Sequence, residues 1–328
     1  MRTAMIQGST DVVRDGVAGY VAHLLPALAE LGIEAVVRQP TKEPLLHDVA
    51  LVHVQFAPSA FNASGWLDAL PRPLVTTLHE YDPHDRNTEF LVSHSAELIV
   101  TNACHARALQ KHTGRTAWRI PLAPNVPDVG KSTARGEGTT VVFFGFVHPV
   151  KGTRYLIEAI ARRPGLRLVV IGGFISLALP RHEAAAYRAE LTAIARDLGA
   201  GGRVRFTGYL SGAQVSSLLH GADVAVLPFT AGVTTKSGAL LSMLAHGLPT
   251  LVTAADDPDP ELVDGDTVAV IPRRRSAQAV VETLDRVLGD ELVRTRLSAR
   301  GRQLAETRSW PSIARQHVVA YERVAGRA

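Results

Sequence analysis

Three short segments set glycines where a strand gives way to a helix, two of them with a lysine and one of those with hydroxyls as well, and backbone amides so placed can hold an anion. In VLPFTAGVTTKSGALLSMLAHGLP, residues 226–249, an apolar run ends at Pro228, a loop follows, and Lys236, Ser237 and Gly238 open a strongly apolar helix. Thr234, Thr235 and Ser237 offer hydroxyls there, Lys236 a cation, and the first helical amides a positive end. The helix macrodipole adds about half a positive charge, enough to favour a diphosphate without a metal ion. Without a ligand the same Ser237 is an ordinary N-cap worth about 1 kcal/mol, and the two roles are compatible. The second segment is FFGFVHPVKG, residues 143–152, where Gly145 ends a strand and Lys151 projects at the next helix start. A lysine there can neutralise a phosphate; the alternative is a plain turn with a surface lysine. The third is RDGVAGY, residues 14–20, in which Gly16 and Gly19 precede a helix. It lacks the three-glycine dinucleotide fingerprint, and the next strand, EAVVRQP, ends without an acid, so a nicotinamide dehydrogenase is disfavoured.

These segments need a scaffold that repeats strand, turn and helix, and the hydrophobic pattern supplies it twice. Strands are predicted near 2–7, 34–38, 50–54, 74–78 and 97–101, with a helix over 17–31 that carries Pro26 and ends at Gly32. Prolines, glycines and short polar residues then replace any periodicity in PLAPNVPDVGKSTARGEG, residues 121–138. A second series follows, with strands at 140–145, 167–171, 203–206, 223–227, 249–253 and 267–271, and a last helix over 311–323. A chain of 328 residues, 46% hydrophobic and 20% charged, is globular and long enough for two cores. The expected division is 1–126, a linker at 127–138, 139–306, and a C-terminal helical segment at 307–328.

Composition removes several classes of function. Apolar runs are far too short to span a bilayer, and MRTAMIQGST has no secretory hydrophobic stretch, so a cytoplasmic protein is expected. Cys104 is the single cysteine and reads as a buried small hydrophobe. Residues 271–328 hold twelve arginines against six acids, but aromatics do not interleave with them as stacking recognition would need, so a solvated helical face is expected rather than a nucleic-acid surface. The thirteen histidines show no ligand spacing, so no metal is expected.

In order along the chain, DGVAGYVAHLLPALAELG, VTTLHE, IPLAPNV, VVFFGFVHPVKGTRYLIEAI, RVRFTGYLSGAQVSSLLHGADVAVLPF, LLSMLAHGLPTLVT, PELVDG and a late SW resemble the family-4 glycosyltransferases of the GT-B fold. The resemblance implies an α/β protein of two Rossmann-like domains facing each other across a cleft, its last helix crossing back to the N-terminal domain. It implies a retaining, metal-independent transfer of a sugar from a nucleoside diphosphate donor, with no other cofactor. It makes His79 and Lys151 the catalytic residues, His79 beside the transferred sugar and Lys151 on the diphosphate. The loop at Gly16 becomes a lid over the donor, the backbone at Tyr209 and Leu210 an edge for the base, and Gly145 together with residues 234–238 the phosphate cradle. Two departures fall on donor positions. Phe146 stands where the family carries an arginine, and Thr234 and Ser242 stand where it carries two glutamates. Ser242 can then offer a ribose only one neutral hydrogen bond, worth about 1 kcal/mol against about 1.5–3 for a charged one. Asp257-Pro258-Asp259 is similar to a metal-binding Asp-x-Asp, but its proline-rich setting reads as a solvated loop. A catalytically silent or regulatory homologue, or an epimerase or phosphorylase of the same fold, are the alternatives. The helix after Gly16 carries no lysine or arginine, which favours a small soluble acceptor over a lipid-linked one, and the alanine- and arginine-rich composition suits a bacterial source.

Overall fold

A computed structural model describes residues 1–40, 48–61, 65–71, 73–130 and 138–326. The chain forms two compact units, Met1–Leu122 with Arg308–Ala328, and Ala123–Thr307. The first contains β1 (Arg2–Gln7), α1 (Gly16–Ala29), β2 (Glu34–Arg38), β3 (Leu51–Phe56), β4 (Leu74–Leu78), α2 (Arg86–His94), β5 (Glu97–Val100), α3 (Ala103–Thr113) and β6 (Trp118–Arg119). The second contains β7 (Thr139–Phe144), α4 (Thr153–Ala161), β8 (Leu166–Ile171), α5 (Arg181–Asp197), β9 (Val204–Gly208), α6 (Gly212–His220), β10 (Val224–Leu227), α7 (Gly238–Ala245), β11 (Thr250–Thr253), β12 (Ala269–Ile271), α8 (Ala277–Gly289) and α9 (Glu291–Glu306). The last helix, α10 (Trp310–Ala325), returns to the first unit and packs along α1.

Each unit is built on a six-stranded parallel sheet, ordered β2-β1-β3-β4-β5-β6 in the first and β12-β11-β10-β7-β8-β9 in the second. Parallel sheets carry helices on both faces, so their inner strands read as continuous apolar runs. β4, β10 and β11 are buried at every position. β3 is also wholly buried, yet its sequence LVHVQF includes His53 and Gln55, two polar side chains that must find partners inside.

The predicted strands all form, with ends displaced by at most two residues; β6 was not anticipated, because two residues carry no period. Pro26 lies inside α1 without interrupting it, and that helix stops at Ala29, two residues before the predicted end at Leu31. Residues 131–137 of the expected linker lie outside the described residues. Arginines of the basic tail pair with acids on the surface, Arg273 with Glu282, Arg286 with Asp264 and Arg300 with Asp266, as a solvated face would. Cys104 is half-buried on α3 rather than buried. Among the described residues, no helix is long and apolar enough to cross a membrane.

Candidate functional site

In the second sheet the strand order reverses between β7 and β10, the point at whose carboxyl side such sheets take their ligands. The two loops that leave these strands are fastened together. The Thr230 amide and hydroxyl both donate to the Val150 carbonyl, at 2.9 and 3.2 Å. Gly152 follows at φ 67°, so close to Pro228 that a β-carbon would overlap the Pro228 carbonyl oxygen. Lys151 is thereby held at the junction, half-buried, its Nζ 3.9 Å from the centre of the Phe229 ring. Gly145 continues β7 and donates its amide to the Ile171 carbonyl at 3.0 Å. Tyr209 and Leu210 follow β9 on the same carboxyl edge, Tyr209 59% exposed and Leu210 packed on the core.

The start of α7 differs in detail from the expected cradle. Ser237 is its N-cap, the hydroxyl accepting from the Leu240 amide at 3.2 Å, while the Ser237 amide donates to the Thr234 carbonyl at 3.1 Å. That amide is engaged in the turn, which corrects its expected role toward a ligand. The amides of Gly238 and Ala239 open the helix and have no backbone acceptor among the described residues. A side chain at Gly238 would meet the Asn125 carboxamide, whose Nδ2 lies against the place a β-carbon would take, so Asn125 would have to shift to admit one. Lys236 is exposed, and Thr234 Oγ1 is buried with no partner among the described residues.

Three further expectations are corrected. Thr235 is buried, and its amide and hydroxyl both donate to Asp259 Oδ2 at 2.7 Å, so it braces the loop instead of facing a ligand. Asp259 is therefore not in a solvated loop; it is 4% exposed and also receives the Glu261 amide. Ser242 is fully buried. Its hydroxyl donates to the Gly238 carbonyl at 2.8 Å and accepts from the amides of Asn125 and Val126, at 3.1 and 3.3 Å. It ties the segment entering the second unit to α7 and cannot reach a ribose.

In the first unit, His79 follows β4 and anchors a network that sequence reading missed. Its amide donates to the Phe56 carbonyl at 2.8 Å, its Nε2 lies 2.8 Å from Gln55 Oε1, and its ring meets the edge of Tyr20 at 4.7 Å. A carbonyl oxygen only accepts, so this His79 nitrogen carries the proton. Gln55 Nε2 in turn reaches His53 at 3.2 Å, and His53 sits between Thr77 Oγ1 at 2.8 Å and the Tyr321 hydroxyl at 2.6 Å. His317 donates Nδ1–H to the Ile313 carbonyl at 2.8 Å, leaving Nε2 to the Tyr20 hydroxyl at 3.3 Å. Complete burial holds the His53 pKa well below the usual histidine value, helped by the charges of His317 and His79, and lowers that of His317 to about 4. Both imidazoles are neutral near pH 7. The available signal was His53 and Gln55 two residues apart in a buried strand, hence on one face.

Gly16 is the first residue of α1 rather than part of a loop, and it is exposed, with nothing within 4 Å of where a β-carbon would stand. Asp15 caps this helix, Oδ1 accepting from the Val17 amide at 2.9 Å, and burial raises its pKa.

The opposite end of α7 holds a cluster no sequence spacing announced. His246, its C-cap, donates Nδ1–H to the Ser242 carbonyl at 2.7 Å, and its Nε2 meets Ser216 Oγ at 2.8 Å. His220, the last residue of α6, lies with Nε2 2.5 Å from Asp128 Oδ1. Burial alone would raise the Asp128 pKa, but the hydrogen bonds from His220 and the Gly130 amide leave it lowered overall.

The family profile described as "Glycosyl transferases group 1" matches residues 128–304. The chain belongs to this family. A D-inositol 3-phosphate glycosyltransferase of Jonesia denitrificans is 30% identical over 334 residues, covering 87% of this chain and 74% of that protein. The lipopolysaccharide core biosynthesis glycosyltransferase LpsE of Rhizobium meliloti is 27% identical over 210 residues, 61% of this chain, and the match spans only 57% of LpsE. Among solved structures, Anabaena HepE in complex with UDP and glucose superposes with a TM-score of 0.77 at 15% identity, covering 98% of this chain and all of that one. The two sheets and the returning helix are those of the GT-B fold.

Proposed function

We propose that this family member transfers a sugar from a nucleoside diphosphate donor to a small soluble acceptor, with retention at the anomeric carbon. The observation that carries the proposal is the open pair of amides at Gly238 and Ala239, with Ala239 Cβ 3.6 Å from where a β-carbon at Gly145 would stand, on the same sheet edge where the β7 and β10 loops are fastened around Lys151. Aligned amides at a helix start and a nearby ammonium stabilise the charge that grows on a diphosphate as its bond to the sugar breaks. This chemistry asks for no bound ion. Thr234 Oγ1, buried without a partner among the described residues, is a further group suited to a phosphate oxygen. The donor class is supported by HepE, which holds UDP on the same fold, and the soluble acceptor by the D-inositol 3-phosphate glycosyltransferase that aligns with most of this chain. In this mechanism His79, its Nε2–H fixed by Gln55, stands beside the sugar, and the leaving diphosphate takes the acceptor proton.

One observation favours a second reading, a homologue that binds nucleotide without turnover. Ser242, where the family keeps a glutamate, is locked into structure and offers a ribose nothing. Melting curves with UDP, GDP and ADP, followed by mass spectrometry of mixtures with the matching sugar donors and soluble polyol acceptors, separate the two. A shift with a glycosylated product supports transfer; a shift without product from any donor supports the silent homologue. No shift with any nucleotide overturns both, because a ligand at about 100 times its Kd stabilises by about 2.7 kcal/mol.

A further inference from the structure

We propose that Asp128, His220 and His246 bind one divalent cation of the zinc class, at a site distinct from the donor site. The three residues offer one carboxylate oxygen and two imidazole nitrogens, a ligand set that zinc accepts, with the ligating atoms all within 4.8 Å of one another. They come from the segment entering the second unit and from the carboxyl ends of α6 and α7. Two helix carboxyl ends and a carboxylate direct negative potential at one point, which favours a cation.

The histidine orientation suits the role. The Nδ1–H of His246 is committed to the Ser242 carbonyl, the outer hydrogen bond that fixes the ring of a ligating histidine and turns its Nε2 lone pair to the ion. Ser216 now meets that nitrogen, and its oxygen still accepts from the Val129 amide at 3.0 Å, so its hydroxyl can turn aside. Ligand bonds of about 2.0–2.2 Å require the three atoms to stand roughly 3.5 Å apart. Buried His246 is the fixed point, and the Asp128 and His220 side chains, 38% and 22% exposed, close the difference. The solvent side leaves a fourth position to water. The site is one helix length, about 12 Å, from the amides of Gly238 and Ala239, so the ion takes no part in the donor chemistry. It would instead clasp residues 123–130, which Ser242 and Ser216 already fasten to the second unit.

The test uses the full chain after chelator treatment, titrated with zinc chloride by calorimetry and with cobalt(II) by visible absorption. One ion per chain is expected, with the intense absorption of four-coordinate cobalt and a higher melting temperature. Asp128→Asn and His220→Gln, at partly exposed positions that tolerate exchange, are each expected to weaken binding at least tenfold. Their melting shift with UDP should match that of the unsubstituted chain. Absence of binding, or stoichiometric binding that survives both substitutions and so belongs to other histidines, overturns the proposal.

Discussion

At the carboxyl ends of β3 and β4 the first unit gathers side chains, whereas at the ends of β7 and β10 the second gathers backbone. His53, Gln55, Thr77 and His79 meet Tyr20, His317 and Tyr321 in a buried relay of imidazole, carboxamide and hydroxyl groups. At the carboxyl edge of the second sheet stand the amides of Gly238 and Ala239, a close approach at Gly152, and Lys151 over the Phe229 ring. The two sheets share parallel strands and a reversal of order, yet they are sensitive to different changes. A side-chain relay depends on protonation and on each residue's identity. A backbone cradle depends on turn geometry and tolerates exchange where no β-carbon intrudes, so the proposed anion site does not depend on the side chains of Thr234 and Ser242.

The largest expected effect attacks the cradle. Gly152→Ala adds a left-handed strain of about 1–2 kcal/mol and an overlap with Pro228, and should destabilise by about 3–4 kcal/mol in urea unfolding. A loss under about 1 kcal/mol would show that the β7 and β10 loops are not locked together. Next comes the pH dependence of the relay. His317 titrates near 4 when folded and near 6.5 when unfolded, so between these values the unfolded chain binds more protons and stability falls as pH drops. The loss from this residue is about 3 kcal/mol, complete by about pH 4. His317→Phe should flatten that part of the unfolding profile; an unchanged slope would remove His317 as its source.

Ser242→Ala should cost about 2 kcal/mol, because the amides of Asn125 and Val126 lose their acceptor, and should leave nucleotide affinity unchanged. A weaker nucleotide Kd at constant stability would restore the ribose role. Lys151→Met is expected to weaken nucleoside diphosphate binding about tenfold, near 1.4 kcal/mol, measured by calorimetry. Lys236→Met is the mildest change. With stability altered by no more than about 0.5 kcal/mol, it should lower donor affinity by about threefold, and an unchanged Kd would leave Lys151 as the cation of the cradle.

The sequence by itself determined the alternation of strands and helices, the places of the strands to within two residues, and the turns that carry glycine and lysine. These are local properties: apolar runs of fixed period, helix-capping residues such as Ser237, and glycines at chain reversals all act within a few residues. Tertiary structure decided which polar groups remain available. Thr235 and Ser242 have the residue types of ligand contacts, but Asp259 and the Asn125–Val126 backbone, distant in sequence, had already taken their hydrogen bonds. The same holds for what was not foreseen. His53 finds Tyr321 in a water-poor interior where each polar group must have a partner, and Asp128 finds His220 and His246 nearer the surface, in both cases only because the folded chain brings separated segments together.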